Sequence, residues 1–170
     1  MARPPIRILG IDPALRASGF GMICAEQGRV RAERWAVLQA RRDWTHTTCL
    51  AGLHAEVLSW IGAQPVAAVA LEDPFWSRNV RTAITLGEVR GVVLAACGQA
   101  GVPVFGYAPR EVKQAVAGRG AATKEQVQRM LDAILGLNDT LPEDASDALA
   151  VALCHEHRRS SRSGRERSAL

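Results

Sequence analysis

The sequence predicts a mixed α/β fold, in which three antiparallel strands are followed by parallel strands and helices cover both faces of the sheet. Strand-like segments, the first an apolar run and the third with two-residue alternation, fill most of the first 40 residues and are joined by short turns. Later strand-like segments alternate with segments of helical periodicity, and such crossovers join parallel strands. The length of 170 residues and the hydrophobic content of 48% fit one domain with a substantial core.

The first three predicted strands span residues 7–12, 19–25 and 29–40, and the last two are joined by a turn at Gln27-Gly28. Pro109 suits the first turn of a helix, and Thr123 with Gln126 forms a capping-box pattern. The other predicted elements are helix 45–63, strand 66–72, helix 79–100, strand 102–107 and helices 109–116, 123–135 and 143–159. We expect a folded domain over 1–159 and a disordered tail, rich in serine and arginine, over 160–170.

Composition narrows the classes of protein to which the chain can belong. No apolar run approaches the roughly 20 residues that span a bilayer. Residues 1–5 are not followed by a hydrophobic leader with a cleavage site, so we expect a cytoplasmic protein without membrane contact. The cysteines lack the spacing of zinc sites or disulfide frameworks and are predicted to be buried free thiols. They are Cys24, Cys49, Cys97 and Cys154.

The positive charge is unevenly distributed along the chain. The formal net charge is +4, and the acidic and basic residues balance once the arginine-rich segment beyond His157 is set aside. Within 78–129, however, eight lysines and arginines face only three glutamates. A solvated helix face is the better explanation of such a cluster when it is taken alone. A basic surface beside an acidic pocket is also what a metal-dependent nuclease needs.

Four carboxylates occur at positions that structural roles explain poorly when the four are considered together. Asp12 and Glu72 each end a predicted central strand, and ligand sites of open α/β sheets form at strand ends. Asp144 and Asp147 are three residues apart and share one face of the last helix, among alanines that allow close approach to the sheet. Each acid alone is explained as a turn former or a capping group. Converging carboxylates raise each other's pKa unless a cation offsets them, so the set predicts bound Mg²⁺ or Mn²⁺.

Five segments together resemble the RuvC-type Holliday junction resolvases, a family of crossover junction endodeoxyribonucleases. The resemblance covers about residues 6–157, in order and at the family's spacing. The segments are Ile8-Leu-Gly-Ile-Asp-Pro-Ala-Leu-Arg-Ala-Ser-Gly-Phe-Gly21, Glu72-Asp-Pro-Phe75 with Arg78-Asn79, Leu86-Gly-Glu-Val-Arg-Gly-Val92, Tyr107-Ala-Pro-Arg-Glu-Val-Lys-Gln-Ala-Val116 and Asp144-Ala-Ser-Asp-Ala-Leu-Ala150.

The resemblance implies an RNase H-like fold and a homodimer that makes paired, symmetric nicks in two opposed strands of a four-way DNA junction. It implies a role in homologous recombination and DNA repair, with the RuvA–RuvB branch-migration complex as a partner. The family's four catalytic acids fall on Asp12, Glu72, Asp144 and Asp147. They imply two Mg²⁺ ions about 4 Å apart, bridged by Asp12, with Mn²⁺ as a substitute. The expected products carry 5′-phosphate and 3′-hydroxyl ends.

The resemblance also assigns contacts with DNA. Phe75 falls on the aromatic residue that stacks on unpaired bases, and Lys113 and Lys124 fall near the scissile phosphate, where Lys124 would act in catalysis. The complete set of expected DNA-binding residues is Phe75, Arg78, Asn79, Arg81, Lys113, Arg119 and Lys124. The chain departs from the family at Ala14, where glycine is usual, and at Asp73-Pro74. Strand alternation predicts that Asp73 points away from Glu72 and lies outside the metal site.

Three other functions remain open from the residues themselves. Another RNase H-like nuclease would act on a different substrate, such as an RNA–DNA hybrid or nicked duplex. An actin-like or sugar-kinase ATPase also opens with a strand that ends in aspartate, but it needs two such domains, and 170 residues do not provide them. A non-catalytic DNA-binding module would not need all four acids.

Overall fold

The computed structural model describes residues 4–73, 79–138, 140–161 and 168–170, which form a five-stranded sheet and five helices. Each predicted element is present, with ends that differ by no more than two residues. The elements are β1 (Ile6–Asp12), β2 (Ala17–Glu26), β3 (Arg29–Gln39), α1 (His46–Ala63), β4 (Ala68–Glu72), α2 (Val80–Ala100), β5 (Val104–Tyr107), α3 (Pro109–Ala117), α4 (Lys124–Leu135) and α5 (Glu143–Ser160).

The strand order is β3-β2-β1-β4-β5. The pairs β1–β2 and β2–β3 are antiparallel, whereas β1–β4 and β4–β5 are parallel. This arrangement confirms the predicted mixed sheet. It follows from the connections, because a tight turn joins antiparallel neighbours and a helical crossover is needed to return a strand in the same direction.

The period-two alternation of the strands divides the core into two layers. On β1, Ile8 faces one layer, while Leu9 and Ile11 face the other. The first layer is filled by α3, α4 and α5, and the second by α1 and α2. Helices therefore cover both faces, as predicted. The same alternation places Asp12, two residues beyond Gly10, on the face that α5 covers.

Three glycines allow α5 to lie directly on the sheet. A Cβ atom added at Gly10 would overlap the carbonyl oxygen of Ala148, and one added at Gly19 would overlap that of Asp144. A Cβ at Gly21 would lie 2.7 Å from Cγ of Leu149. Gly10 and Gly21 face each other across β1 and β2, so the glycines form a continuous shallow path for the helix.

A β-bulge explains an irregularity in the alternation of β3. Ile23 pairs with Ala32, but Met22 pairs with Arg34, so Glu33 is an extra residue in β3. The extra residue shifts the alternation by one, which keeps Ala32 and Trp35 on the same face of the sheet although they are three positions apart.

The remaining expectations about composition concern the cysteines, the membrane and the tail. All four cysteines are buried and free, which confirms their prediction. Within the described ranges, no helix is long and apolar enough to cross a membrane. The α5 helix ends at Ser160, and the backbone N–H of Leu170 donates to the carbonyl of Val104 at 2.9 Å. The disordered tail over 160–170 stays a prediction, because residues 162–167 lie outside the described ranges.

Candidate active site

Asp12 and Glu72 lie side by side at the edge of the sheet that is formed by the carboxyl ends of its parallel strands. They are the last residues of the adjacent parallel strands β1 and β4, in which Ile11 pairs with Leu71. Strand alternation turns both carboxylates toward α5, since the flanking Ile11 and Leu71 belong to the opposite layer. The prediction that two central strands end in neighbouring acids is thus confirmed in the structure.

The N-terminal part of α5 brings the second pair of acids to the same edge. The carbonyl of Asp144 lies against Gly19, and Gly19 is the partner of Asp12 in the β1–β2 register. Asp147 follows one turn along the helix, with its side chain 42% exposed. The glycine path therefore determines how close the acids of α5 come to the acids of the sheet.

Burial and mutual repulsion perturb these carboxylates. Burial, followed by the charges of Asp147 and Asp144, raises the pKa of Asp12 to about 6. Burial, followed by the charges of Asp12 and Asp147, raises the pKa of Glu72 to about 7. Burial also raises the pKa of Asp147, and the nearby Lys124 opposes this effect. The four acids therefore interact electrostatically as one cluster, and their negative charge is not fully balanced by neighbouring cations.

Two lysines supply part of the missing charge. Lys124, the first residue of α4, contacts the carboxylate of Glu143, and its ammonium lies 3.8 Å from Oδ2 of Asp147. The charge of Lys113 lowers the pKa of both Glu72 and Asp147, which places this α3 residue at the cluster. Both lysines line a cavity of about 770 Å³ together with Glu72, Glu143 and Asp147. The two lysines predicted near the reacting phosphate therefore lie beside the acids.

The donor set fits a hard divalent cation. All four candidate ligands are carboxylates, and oxygen-only sites select Mg²⁺ or Mn²⁺ over zinc. Across the described residues, no three or more carboxylate, imidazole or thiol groups form a cluster that could hold a metal ion. Mg²⁺ does not require one, because it is commonly held by one or two carboxylates, several waters and the phosphates of a substrate. The raised pKa values of Asp12 and Glu72 indicate a site that gains from a cation.

Asp73 lies outside this cluster, as predicted. Oδ1 of Asp73 accepts a hydrogen bond of 2.8 Å from Arg90 of α2 on the opposite face of the sheet. The same guanidinium donates to the carbonyl of Glu72 at 3.3 Å. Arg90 thereby fixes the backbone at the end of β4 without approaching the acids on the other face.

The turn after Asp12 accommodates alanine without strain. Within the described part of the chain, Gln27 is the single non-glycine residue with a positive φ, so Ala14 has an ordinary backbone conformation. Its N–H donates to Oγ of Ser18 at 3.0 Å, and that hydroxyl donates back to the carbonyl of Ala14 at 2.7 Å. The departure from the family pattern at Ala14 therefore carries no backbone cost.

The other expected DNA contacts are less closely tied to the acids. Phe75 and Arg78 lie outside the described residues. Asn79 is the N-cap of α2, where its side-chain oxygen accepts from the N–H groups of Arg81 and Thr82. Arg81 is exposed in the first turn of that helix, and Arg119 is exposed in the turn after α3. The structure thus assigns Asn79 a capping role that the sequence alone did not identify.

Glu143 is the residue at the site that the sequence analysis missed. It directly precedes Asp144, and an acid in the first turn of a helix has an ordinary explanation in the helix dipole. Its partner, Lys124, is 19 residues away, so neither spacing nor periodicity connects them. The sequence signal that could have identified Glu143 is that it is a fifth acid, placed next to the Asp144–Asp147 pair.

Comparison with known proteins identifies the family. The family of crossover junction endodeoxyribonucleases RuvC matches this chain over residues 8–155. The crossover junction endodeoxyribonuclease RuvC of Syntrophomonas wolfei is 42% identical over 153 residues, which cover 89% of each chain. The chain belongs to the RuvC family. The matched range contains all four candidate acids and both lysines of the cavity.

Solved structures agree with this membership of the RuvC family. Thermus thermophilus RuvC in complex with Holliday junction substrate matches with a TM-score of 0.86 and 35% sequence identity, covering 91% of this chain and 94% of that one. The yeast mitochondrial Holliday junction resolvase Ydc2 matches with a TM-score of 0.62 at 13% identity, a likeness of fold alone. The predicted RNase H-like fold is confirmed by the first of these matches.

Proposed function

We propose that this chain is a structure-selective endodeoxyribonuclease that resolves Holliday junctions by paired, symmetric nicks, in homologous recombination and DNA repair. The observation that carries the proposal is the convergence of Asp12, Glu72, Asp144 and Asp147 at one edge of the sheet, within a chain of the RuvC family. The matching Thermus thermophilus RuvC was solved with its Holliday junction substrate. Four-way junction DNA is therefore the proposed substrate here.

In this proposal Asp12, Glu72, Asp144 and Asp147 would hold two Mg²⁺ ions, or Mn²⁺ in their place. When bound, the metal lowers the pKa of the attacking water and stabilises the departing 3′ oxygen, which gives 5′-phosphate and 3′-hydroxyl ends. Lys124 and Lys113 place positive charge beside the scissile phosphate, where charge develops during the reaction. Asp12 and Glu72 end the buried strands β1 and β4, and this fixes the face of the sheet on which each carboxylate lies.

A substrate panel tests the proposed function. Purified protein with Mg²⁺ is mixed with a synthetic four-way junction, a linear duplex of the same sequence, a nicked duplex and an RNA–DNA hybrid. We expect symmetric nicks in opposed strands of the junction and little cutting of the other substrates. Preferential cutting of the hybrid or the nicked duplex would instead identify a different RNase H-like nuclease.

The stability of the metal-free protein should depend on pH through Asp12. Its pKa rises in the folded state from an ordinary value of 3.8 to about 6. The resulting stabilisation is complete below the lower value and is lost as the pH rises through the higher one, an effect of about 3 kcal/mol. In EDTA, the free energy of unfolding in urea should therefore fall between pH 3.8 and about 6. Asp12→Asn should remove this part of the pH dependence, and an unchanged dependence would argue against the perturbed carboxyl.

The proposed enzyme is a homodimer that uses α2 as its two-fold interface. Added Cβ atoms at Gly87 and Gly91 would meet nothing within 4 Å, so packing on the chain's own sheet does not explain these glycines. On the same helix, Val80 is 73% exposed and Ile84 is 57% exposed. An apolar surface with small residues suits a second copy, and two symmetric nicks require two symmetric active sites.

Disruption of this surface should produce monomers. Ile84→Glu places a charge in the proposed interface, and sedimentation at micromolar concentration should change from dimer to monomer. Met130→Glu is the matched control, because Met130 is 44% exposed on α4, away from α2. A dimer that survives Ile84→Glu, or is lost equally in Met130→Glu, would place the interface elsewhere.

The remaining contacts of the proposed complex follow from family membership. Phe75 is proposed to stack on unpaired bases at the branch point, a contact of about 1–3 kcal/mol per base. Arg78, Asn79, Arg81 and Arg119 are proposed to bind phosphates with Lys113, and the arginines of residues 160–170 are proposed to add contacts without sequence preference. The RuvA–RuvB branch-migration complex is the proposed protein partner.

A further inference from the structure

The side chain of Lys124 lies between two carboxylates of the same helix. Glu143 and Asp147 are four positions apart on α5, so they occupy one helix face a turn apart. The ammonium contacts the carboxylate of Glu143, whereas Oδ2 of Asp147 is 3.8 Å away, beyond hydrogen-bonding distance. Lys124 thus contacts Glu143 more closely than Asp147, whose charge acts on both Asp12 and Glu72.

This arrangement affects how Asp147 can be used. An ammonium that hydrogen-bonded directly to Asp147 would compete with a divalent cation for the same oxygen atoms. Contact with Glu143 weakens that competition and still leaves the positive charge at the edge of the cavity. The side chains of Lys124 and Glu143 are 62% and 72% exposed. Exposed ion pairs are weak, so an arriving phosphate can replace Glu143 at the ammonium with little loss.

We propose that Glu143 is a positioning residue that holds the Lys124 ammonium away from Asp147 and so keeps the Asp147 carboxylate available to a divalent cation. The inference rests on the proposed function in one respect, the assignment of Asp147 as a metal ligand. In the absence of DNA, Glu143 is the resting partner of Lys124. When DNA binds, the scissile phosphate takes that place, and Lys124 reaches it without first leaving a metal ligand.

Binding of Mn²⁺ without DNA tests the proposal in a double-mutant cycle. Isothermal titration calorimetry is performed on the full chain and on Glu143→Gln, Lys124→Ala and the double variant. In Glu143→Gln the ammonium moves to Asp147, so the Kd for Mn²⁺ should rise about two- to fivefold, the range that an exposed ion pair supports. Lys124→Ala removes the competitor, so adding Glu143→Gln to it should raise the Kd much less.

Glu125→Gln is the matched control for the loss of one negative charge. Glu125 lines the same cavity beside Lys124, but its carboxylate hydrogen-bonds to Thr123. We expect it to change the Kd for Mn²⁺ by less than half as much as Glu143→Gln. Thermal unfolding of each variant checks that the fold is retained, which the exposure of these side chains favours.

Two results would overturn the positioning role. An equal effect of Glu143→Gln with and without Lys124 would mean that Glu143 acts on the ion directly. An effect no larger than that of Glu125→Gln would reduce Glu143 to a general contribution to charge. The proposed function is tested separately, by the cutting of junctions. If Asp12→Asn still cuts junctions, the proposed function fails, but the double-mutant cycle of Mn²⁺ binding can still be interpreted. Absence of Mn²⁺ binding by the unmodified protein without DNA would overturn the positioning role, whereas the proposed function is decided by the cutting of junctions.

Discussion

Replacing Asp12 by asparagine should abolish junction cutting and leave metal-free junction binding intact. Asp12 ends β1 next to Glu72, and the charges of Asp144 and Asp147 act on it directly. Asparagine keeps the shape of the side chain but removes the negative charge that the proposed role as a metal ligand needs. We expect the rate of nicking to fall by about three orders of magnitude or more, because the loss of several kcal/mol of transition-state stabilisation has that effect. Gel-based cutting assays with Mg²⁺ and mobility shifts in EDTA measure the two properties separately.

Asp73→Asn is the control for this substitution. It changes a carboxylate of the same type at the same edge of the sheet, but Asp73 faces Arg90 on the opposite side. Asp73→Asn should therefore keep most of the cutting activity. Substantial cutting by Asp12→Asn would refute the four-acid site, and loss of junction binding in EDTA would point to a folding defect.

Gly19→Ala should strongly destabilise the fold. The new Cβ would overlap the carbonyl oxygen of Asp144, and a backbone atom in a central helix cannot move aside as a flexible side chain can. Overpacking of this kind costs about 1–3 kcal/mol and sometimes more. The midpoint of urea unfolding should fall accordingly. Because the collision is at Asp144, any folded Gly19→Ala protein should also bind Mn²⁺ more weakly.

Gly62→Ala provides the comparison for Gly19→Ala. Gly62 lies in α1, and an added Cβ there meets no atom within 4 Å. Alanine favours the helix over glycine by up to about 1 kcal/mol, so this variant should be slightly more stable than the unmodified protein. A Gly19→Ala protein of unchanged stability would show that α5 does not depend on close contact with the sheet.

Much of the fold could be predicted because local patterns and long-range packing agree in this chain. The capping box at Thr123 appears in the structure with both of its hydrogen bonds, and Pro109 begins α3 as expected. The placement of Asp12 and Glu72 followed from their positions at the ends of two central strands, and strand alternation separated Asp73 from them. The agreement of several such signals is what makes a sequence specify one structure.

Other features depended on contacts that no local pattern encodes. The pairing of Lys124 with Glu143 joins the first turns of two different helices, and its existence depends on how α4 packs beside α5. The close contact between Gly19 and Asp144 requires the helix path to be known first. The β-bulge at Glu33 could not be predicted from the sequence of β3 either, because a bulge is defined by the pairing of β3 with its partner strand β2.

The position of α5 also has a consequence for biosynthesis. This helix covers β1 and β2, which are made from the first 26 residues, yet it begins only at Glu143. Contacts between such distant segments form late, and a chain emerging from the ribosome exposes that apolar side of its sheet until the helix is released. Two of the four acids arrive with the same helix. A truncated or unfinished product therefore lacks two of the four acids, as well as the helix that covers this side of the sheet.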